Sequence, residues 1–222
     1  MKFHPAGHQI IRNSIIGIIV INFLSGLFIP VLFFNSIIAV ASCILLILIL
    51  QFFRYPSRHI IEKPEGILSP ADGTVCVIEK CREDHYLHAE VLKVSVFMSP
   101  LNIHINWAPV KGRVCWLKHQ PGKFYAAFKD KSAEENERYY TAFQLDDGRE
   151  ILTVQVAGAM ARRILNFLHM DQQVGQQTEM GFIRFGSRVD LYLPADTHLS
   201  VKVGDRVTGS QTIIGYFTNP GL

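Results

Sequence analysis

The most restrictive feature of this 222-residue chain is an apolar stretch without any charged residue, Ser14 to Phe53. Ile, Leu, Val and Phe dominate the stretch, and Pro30 interrupts it near the middle. A membrane-crossing helix needs about 20 apolar residues, so about forty residues are enough for two crossings. We therefore predict two hydrophobic helices, Ser14–Phe28 and Ser36–Phe53, that form a membrane-anchoring helical hairpin within residues 1–58.

Basic residues flank this stretch on both sides and predict its orientation. Lys2 and Arg12 precede the first helix, and Arg54, Arg58 and Lys63 follow the second. Basic flanks stay on the cytoplasmic side of a membrane, and a hairpin returns the chain to the side on which it started. We therefore expect the rest of the chain on the cytoplasmic face of the cell membrane. The alternative, a buried helical pair inside a soluble protein, fits poorly with an uncharged run of this length.

Cysteine content and net charge exclude several classes of protein. The four cysteines form no Cys-x-x-Cys pair, so neither a zinc site nor a disulfide framework is indicated, and we expect no metal. The net charge of +3 comes without a basic stripe interleaved with aromatic residues, so we expect no nucleic-acid partner. A small positive excess beside a membrane anchor favours contact with anionic membrane lipid.

Beyond the anchor, residues 59–222 have the short alternating runs of a β-rich domain. Val91–Met98 places Leu, Val and Met on one side and polar residues on the other, which is the period-two pattern of a half-buried strand. Arg138–Leu145 and Glu150–Val156 flank an Asp-Asp-Gly turn and predict a β-hairpin. The domain is therefore predicted to be mainly β and sandwich-like, with few short helices.

Helical segments are expected at only two places in this domain. A short helix is predicted near Ala133–Glu137. A second helix is predicted over Ala159–His169, where Ile164, Leu165 and Leu168 form an apolar face.

The C-terminal segment LSVKVGDRVTGSQTIIGYF has a hairpin pattern that also occurs in lipoyl and biotinyl carrier domains. Such carriers display a lysine at the tip of a tight turn, whereas Lys202 falls within a predicted strand. A membrane-tethered carrier or adaptor without enzymatic activity is the non-enzyme alternative for this chain.

Three polar residues stand in segments otherwise built for burial and could carry chemistry. Asp72 lies in the turn Ser69–Gly73, His104 lies between two isoleucines, and Ser187 follows Gly186 at the start of a strand. Together they supply a hydroxyl nucleophile, a base that titrates near neutral pH and a carboxylate that can orient the imidazole. Each also has a plain structural explanation, since Asp and Ser are common in turns. The Gly-x-Ser-x-Gly sequence of lipases is missing around Ser187, which argues against an ordinary serine hydrolase.

Five motifs, in order, resemble one enzyme family and extend over nearly all of the chain. They are FFRYPSR after the apolar stretch, SPADG, VFMSPLNIHINWAPVKG, HQPGKFYAAFKDKSAEENER and GFIRFGSRVDLYLP. The chain is similar to phosphatidylserine decarboxylase proenzymes of the short type found in bacteria and archaea. Trp107 stands where related longer enzymes tend to have a second histidine, which leaves His104 as the candidate in that motif.

In this family a Gly–Ser bond cleaves itself, and the serine becomes an N-terminal pyruvoyl group. The resemblance therefore implies cleavage between Gly186 and Ser187. The products would be a large chain of residues 1–186 and a small chain of residues 187–222, which together form a heterodimer. The mature enzyme would convert phosphatidylserine to phosphatidylethanolamine with the pyruvoyl group as its covalent cofactor.

The same resemblance implies roles for residues around the cleavage site. His104 would remove the proton of the serine hydroxyl, and Asp72 would hold the His104 tautomer. Arg184 and Arg188 flank the cleavage site and are expected to pair with the phosphate or carboxylate of the lipid, because the planar guanidinium fits such groups. Solubilisation of a strand end is the alternative explanation for the two arginines.

Some assignments stay open at the level of sequence. Lys123, Asn136, Glu137 and Arg138 belong to a family motif but receive no definite role. Another serine phospholipid, such as archaetidylserine, is an alternative substrate, and the two chains could assemble into a higher oligomer.

Overall fold

The computed structural model of the chain divides into two compact units, Met1–Ser57 and Arg58–Leu222. Among the residues that the structure describes, the first unit contains two α-helices and the second contains fourteen strands. The residues described by the structure are 2–29, 31–58, 62–63, 65–123, 135–158, 163–184 and 187–218.

Two helices of 21 residues each form the body of the first unit. Helix α1 spans His8–Phe28 and helix α2 spans Leu32–Phe52, which confirms the predicted helical hairpin. Helix α1 begins earlier than the sequence pattern indicates, because the residues that follow Gly7 include neither proline nor glycine until Gly17. Strands β1 (Lys2–Phe3) and β2 (Arg54–Tyr55) pair antiparallel and join the two ends of the hairpin.

Polar side chains inside the apolar sequence link the two helices. Asn22 Nδ2 donates a hydrogen bond to Ser42 Oγ over 3.0 Å, and the Ser25 hydroxyl donates to Asn35 Oδ1. Most of the remaining helix surface is apolar and is not covered by protein: the most apolar segment of α1 is only 6% buried. Both helices are long and apolar enough to cross a membrane. The first unit therefore has the length and the surface of a membrane anchor.

The described strands of the second unit form three β-sheets. Eight strands form a large sheet in the order β11-β7-β8-β9-β13-β5-β4-β15, and two small sheets have the orders β10-β12-β6 and β14-β16-β3. The strands are β3 (Gly66–Leu68), β4 (Gly73–Glu83), β5 (Ala89–Met98), β6 (Ile105–Trp107), β7 (Gly112–Gln120), β8 (Arg138–Gln144), β9 (Glu150–Ala157), β10 (Ile164–Asn166), β11 (Gln173–Val174), β12 (Glu179–Ile183), β13 (Ser187–Pro194), β14 (His198–Leu199), β15 (Arg206–Val207) and β16 (Ile213–Tyr216).

The main hydrophobic core lies on one face of the large sheet and includes both small sheets. Val96 and Val189 of the large sheet belong to the same buried cluster as Ile183 of β12 and Ile214 of β16. Alternate residues of β5 and β13 therefore point toward the small sheets, as the period-two pattern predicted. The mainly β, sandwich-like fold is confirmed.

The opposite face of the large sheet carries a second, smaller buried cluster. Tyr140, Leu152 and Val154 form its centre, and Tyr86 and Trp116 pack against them. The large sheet therefore has apolar contacts on both faces, so a polar side chain on either face of its central strands is buried.

The predicted strand over Val91–Met98 and the predicted hairpin are confirmed, but the predicted helix Ala159–His169 is wrong. Within that range β10 pairs with β12, with Ile164 opposite Ile183. Residues 159–162 lie outside the described residues. The spacing of the apolar residues is compatible with a helix, but pairing with β12 is what buries Ile164 in the core. Short apolar runs do not distinguish the two structures by periodicity alone.

Two other local expectations have different outcomes. Two of the five residues of the predicted helix Ala133–Glu137, 133 and 134, lie outside the described residues, and a helix does not extend to Glu137, because Asn136 forms an isolated β-bridge with Lys123. The expectation that Lys202 falls within a strand is wrong, since Lys202 precedes the turn formed by Val203 and Gly204. Its N–H donates to Asp205 Oδ2 over 2.9 Å, which is a turn contact rather than a strand contact. The position of Lys202 is therefore no argument against a carrier.

Candidate active site

Ser187 is the first residue of β13, which lies between β9 and β5 in the middle of the large sheet. Its register partners are Ala157 on β9 and Met98 on β5. Side chains alternate along a strand, so Ser187 shares a face with Val189 and Leu191, both of which belong to the main core. The serine side chain therefore points into the layer between the large sheet and the small sheets.

The hydroxyl of Ser187 is buried and makes no hydrogen bond within the described part of the chain. A buried polar group without a partner costs about 1–3 kcal/mol. Such groups are uncommon in native proteins, and some of them have a catalytic role. Gly186, the other half of the expected cleavage site, lies outside the described residues. Ser187 therefore presents an unsatisfied hydroxyl at a fixed interior position.

His104 lies directly before β6 and is fully buried. Its carbonyl accepts a hydrogen bond from the Ile183 N–H over 3.2 Å, which continues the pairing of β6 with β12. The imidazole Nδ1 lies 3.0 Å from the carbonyl oxygen of Asn102. A carbonyl oxygen can only accept, so Nδ1 is the donor in this contact, and in the neutral form of the ring the lone pair lies on Nε2. Nε2 is therefore the ring nitrogen that can act as a base.

The contacts of Asn106 indicate which way His104 faces. The two residues are two positions apart on an extended segment and so lie on the same side of it. Asn106 Nδ2 lies 3.5 Å from Met98 Sδ, and Asn106 Oδ1 accepts a hydrogen bond from Gln155 Nε2 over 2.8 Å. Met98 is the register partner of Ser187. The fold therefore brings His104 and Ser187 into the same interior layer.

The carboxylate of Asp72 is held by groups other than His104. Arg58 Nη2 donates to Oδ2 over 2.5 Å, and the Gly209 N–H donates to Oδ1 over 2.8 Å. Among the described residues no hydrogen bond joins Asp72 to His104. The contact expected from Asp72 at His104 Nδ1 is made by the Asn102 carbonyl, which requires no buried charge beside the ring.

Arg58 and Asp72 form a compact cluster with Trp107 and Gly209. The Arg58 guanidinium donates to the Gly209 carbonyl over 2.7 Å and lies 4.6 Å from the centre of the Trp107 ring. Gly209 has no room for a side chain, because a β-carbon there would lie 2.5 Å from the Trp107 ring. Trp107 therefore serves as a stacking surface that ties the Asp72 turn to the C-terminal segment.

The two arginines expected to bind lipid lie in different environments. Arg188 points to the face of β13 opposite Ser187, because adjacent residues of a strand alternate. Its guanidinium is buried and lies 2.8 Å from Asp190. Burial acts to lower the pKa of Arg188, but the charge and hydrogen bond of Asp190 outweigh burial and raise it. Arg184 follows β12 and is partly exposed. A lipid contact by Arg188 stays a prediction, and it would require the Asp190 pair to open.

Sequence reasoning missed a buried polar network between the sheets. Asn166 Nδ2 donates to Gln155 Oε1 over 3.3 Å and lies 3.1 Å from Thr141 Oγ1, while Gln155 donates to Asn106. These bonds connect β10, β9, β8 and β6 across the core. A signal was present in the sequence, since Gln155 interrupts an otherwise apolar stretch of its strand.

Comparison with known proteins identifies the family to which the chain belongs. The sequence model described as phosphatidylserine decarboxylase matches residues 45–215. The chain belongs to this family. The resemblance carried by the five sequence motifs is therefore confirmed.

Relatives in the phosphatidylserine decarboxylase family resemble the chain over most of its length. A protein from Parabacteroides distasonis named phosphatidylserine decarboxylase proenzyme is 40% identical over 217 residues, which cover 96% of this chain and 98% of the relative. A protein of the same name from Cytophaga hutchinsonii is 39% identical over 218 residues, with coverage of 98% and 99%. One from Desulfotalea psychrophila is 46% identical over 166 residues, with coverage of 75% and 78%. The similarity thus includes the anchor as well as the β unit.

In this family member, motif residues without an assigned role tie down the strand beside Ser187. Asn136 Nδ2 donates to the Ala157 carbonyl over 2.6 Å, and the Ala157 N–H donates to the Glu137 carbonyl over 3.0 Å. The Glu137 N–H donates in turn to the Lys123 carbonyl over 3.0 Å. Because Ala157 is the β9 partner of Ser187, these bonds hold the end of the ladder at which Ser187 lies.

We predict that Arg58→Gln and Asp72→Asn each lower the free energy of unfolding by about 1–3 kcal/mol, because each removes a charge-assisted hydrogen bond from a mostly buried pair. The double variant should lose less than the sum of the two single effects, since both remove one shared interaction. Urea denaturation of the full chain in detergent measures these changes. Arg82→Gln, which breaks an exposed pair with Asp84, is the matched control and should change stability by less than about 1 kcal/mol. Additive losses in the double variant would contradict the pairing.

Proposed function

We propose that the chain is a self-processing, pyruvoyl-dependent enzyme that decarboxylates phosphatidylserine to phosphatidylethanolamine. The observation that carries this proposal is the buried hydroxyl of Ser187 at the head of the central strand β13, which has no hydrogen-bond partner among the described residues. The relatives are named proenzymes, which are precursors that need processing. A hydroxyl that is free of competing hydrogen bonds and fixed by the backbone suits a serine that attacks its own chain.

The proposed cleavage uses only groups of the chain and one water molecule. Ser187 Oγ attacks the carbonyl carbon of Gly186, the carbon–nitrogen bond breaks, and the amide becomes an ester while the nitrogen gains a proton. Removal of the Ser187 α-proton then expels the Gly186 carboxylate from the β-carbon and leaves dehydroalanine. Hydrolysis of dehydroalanine releases ammonia and leaves a ketone at the start of residues 187–222. Gly186 suits the first step because it has no side chain to obstruct the attack.

His104 is the proposed base for these proton transfers. Its Nδ1 contact with the Asn102 carbonyl leaves Nε2 as the acceptor. In serine–histidine pairs, the group bound to Nδ1 sets the tautomer in the same way. Contact between Asn106 and Met98 supports a position of His104 close to Ser187. After cleavage, the same ring is proposed to return a proton to the substrate carbon that has lost carbon dioxide.

The surroundings of residue 187 fit a pyruvoyl group. The group would be the N-terminus of β13, so backbone pairing with Ala157 and Met98 would hold it without a separate binding site. A pyruvoyl group supplies an electrophilic carbonyl that no amino-acid side chain offers and accepts the electron pair left when carbon dioxide departs. The chain contributes a buried layer, which excludes water and strengthens electrostatic interactions at the reacting atoms.

The two chains are proposed to stay together after cleavage. β13 belongs to residues 187–222 and pairs on both sides with strands of residues 1–186. Arg58 and Asp72 of the large chain also bind Gly209 of the small chain. The heterodimer should therefore separate only when the sheet unfolds.

The apolar hairpin gives the proposed enzyme access to its substrate. A diacyl lipid stays in the bilayer, so an anchored enzyme reaches it by lateral diffusion. Basic residues before α1 and after α2 favour an orientation with both ends in the cytoplasm. The proposed location of the β unit is the cytoplasmic face of the cell membrane.

The orientation predicts the outcome of protease treatment. Protease added to inverted membrane vesicles should degrade the β unit and remove tags from both termini, because all three are expected on the cytoplasmic side. Intact spheroplasts should protect them, as immunoblots of both tags would show. Loss of either tag in intact spheroplasts would contradict the orientation.

Ser187→Ala should abolish both chain cleavage and release of carbon dioxide from phosphatidylserine, because the variant lacks the attacking hydroxyl and the precursor of the ketone. A denaturing gel of the unaltered protein should show a fragment of the size of residues 187–222. Mass spectrometry should find this fragment lighter, by the mass of ammonia, than the same residues with an unmodified N-terminal serine. The matched control is Ser95→Ala, since Ser95 on β5 has an equally buried and unpartnered hydroxyl. The control should be cleaved normally. Decarboxylase activity of the Ser187→Ala protein would refute the proposal, and so would an unaltered chain that stays intact and fully active. A carrier or adaptor without enzymatic activity would also stay intact.

His104→Gln should slow cleavage about a hundredfold or more, because a positioned general base contributes about 10²–10⁴ to the rate. The time course of fragment appearance after synthesis measures this rate. His198→Gln, at an exposed position on β14, is the control and should be cleaved at the normal rate. Normal cleavage of His104→Gln would remove His104 from the role of base.

A further inference from the structure

The side-chain amides of Asn166, Gln155 and Asn106 form a relay whose direction is fixed by one backbone N–H. The Leu168 N–H, which can only donate, lies 2.9 Å from Asn166 Oδ1. Asn166 therefore turns its Nδ2 toward Gln155 Oε1, and Gln155 turns its Nε2 toward Asn106 Oδ1. The last amide of the relay, Asn106, is left with its Nδ2 directed at Met98.

The space beside Gly181 holds the middle amide of the relay in place. Gly181 is the register partner of both Asn166 and Asn106, so all three lie on one face of the small sheet. A β-carbon at Gly181 would lie 2.7 Å from Gln155 Nε2. The glycine therefore leaves the space through which Gln155 of the large sheet reaches the two asparagines. Gln155 and Asn106 are fully buried, so the relay lies in the protein interior.

The donor at the end of the relay has a poor partner. An amide nitrogen carries two hydrogens, and a thioether sulfur is only a weak acceptor. Within the described part of the chain, the one partner of Asn106 Nδ2 is Met98 Sδ, at 3.5 Å. Met98 lies opposite Ser187 in the large sheet, with its side chain on the same face. Asn106 therefore has unused donor capacity in the interior layer that contains the Ser187 hydroxyl.

We infer that Asn106 Nδ2 donates to the oxyanion that forms on the carbonyl oxygen of residue 186 during self-cleavage. This inference rests on the proposed function, because it concerns the same covalent step. When Ser187 Oγ attacks, the carbonyl electron pair moves onto the oxygen and the hydroxyl proton passes to His104. The oxyanion collapses as the carbon–nitrogen bond breaks and the nitrogen gains a proton. Covalent geometry keeps this oxygen about 2 Å from the Ser187 nitrogen, at the end of β13 that Met98 faces.

A poorly satisfied donor favours the transition state over the resting chain. The contact of Asn106 with a thioether is weak, whereas a hydrogen bond to a negatively charged oxygen is about twice as strong as one between neutral groups. An interaction that strengthens in the transition state accelerates the reaction. Gln155 already holds the Asn106 amide in place, so the donor needs no reorganisation at the moment of attack. One such donor contributes about 10²–10³ to the rate.

Asn106→Leu tests the inference in the full-length protein, because it removes the donor and keeps a side chain of similar size. Appearance of the fragment of residues 187–222 should slow about a hundredfold or more. The intact chain that accumulates should resist hydroxylamine, which cuts esters at neutral pH, because the amide-to-ester step is the one that is slowed. Gln176→Leu is the matched control, since Gln176 is also buried but donates to the carbonyls of Lys63 and Gly66. The control should be cleaved at the normal rate.

Gln155→Glu keeps Asn106 in place and reverses its direction. The introduced carboxylate can only accept, so it accepts from Asn166 and turns Asn106 Nδ2 away from Met98. Cleavage should slow about as much as in Asn106→Leu. The double variant should be no slower than either single variant, since both substitutions remove the same donor.

Normal cleavage of either Asn106→Leu or Gln155→Glu would overturn the inference, so one folded variant is sufficient for the test. Accumulation of a chain that hydroxylamine cuts would also overturn it, because the amide would then have become an ester without the donor. Equal slowing in Gln176→Leu, with an equal loss of stability in urea denaturation, would overturn it as well, because the effect would then follow from folding. An unaltered chain that is never cleaved would instead refute the proposed function itself.

Discussion

Pairing of β13 with β9 on one side and β5 on the other is the constraint on which the site depends. It sets Ser187 opposite Ala157 and Met98, at the first position of a strand that has neighbours on both sides. Since side chains alternate, this register alone sends the hydroxyl into the main core layer and Arg188 to the other face. A slip of one residue would exchange the two side chains. The reactivity proposed for Ser187 would therefore be a consequence of strand register.

The rest of the β unit holds that register in place. Asn136 binds the Ala157 carbonyl and so secures the end of β9 beside Ser187. Gln155 and Asn106 connect the large sheet to the small sheet that carries His104. These contacts surround the Ser187 hydroxyl, which makes no hydrogen bond within the described residues. The surrounding packing must offset the cost of that unsatisfied hydroxyl, about 1–3 kcal/mol. The stability that these surrounding contacts contribute thus keeps the unsatisfied Ser187 hydroxyl buried in the β unit.

Patterns that act over a few neighbouring residues were sufficient for much of the fold. The uncharged stretch predicted the helical hairpin, and alternation predicted β5 and the hairpin of β8 and β9. The same kind of pattern gave a wrong prediction over Ala159–His169. The spacing of three apolar residues fits a helix there, but pairing with β12, which is distant in sequence, makes part of the segment a strand. Residue type suggested that Asp72 would be the hydrogen-bond partner of His104. In the structure the Asp72 carboxylate instead accepts a hydrogen bond from Arg58, more than ten positions earlier in the chain.

Local chemistry in the chain was thus enough to indicate an apolar anchor and a β-rich unit, because residue type and short-range periodicity are properties of adjacent positions. The roles proposed for Ser187 and His104 came from the family resemblance of the motifs around them. Tertiary structure decided which groups meet: the Asn102 carbonyl at His104, Asp190 at Arg188, and Arg58 at Asp72. The physical reason is that these contacts depend on the pairing and stacking of strands, and a hydrogen bond or ion pair forms only between groups that the completed fold brings within about 3 Å.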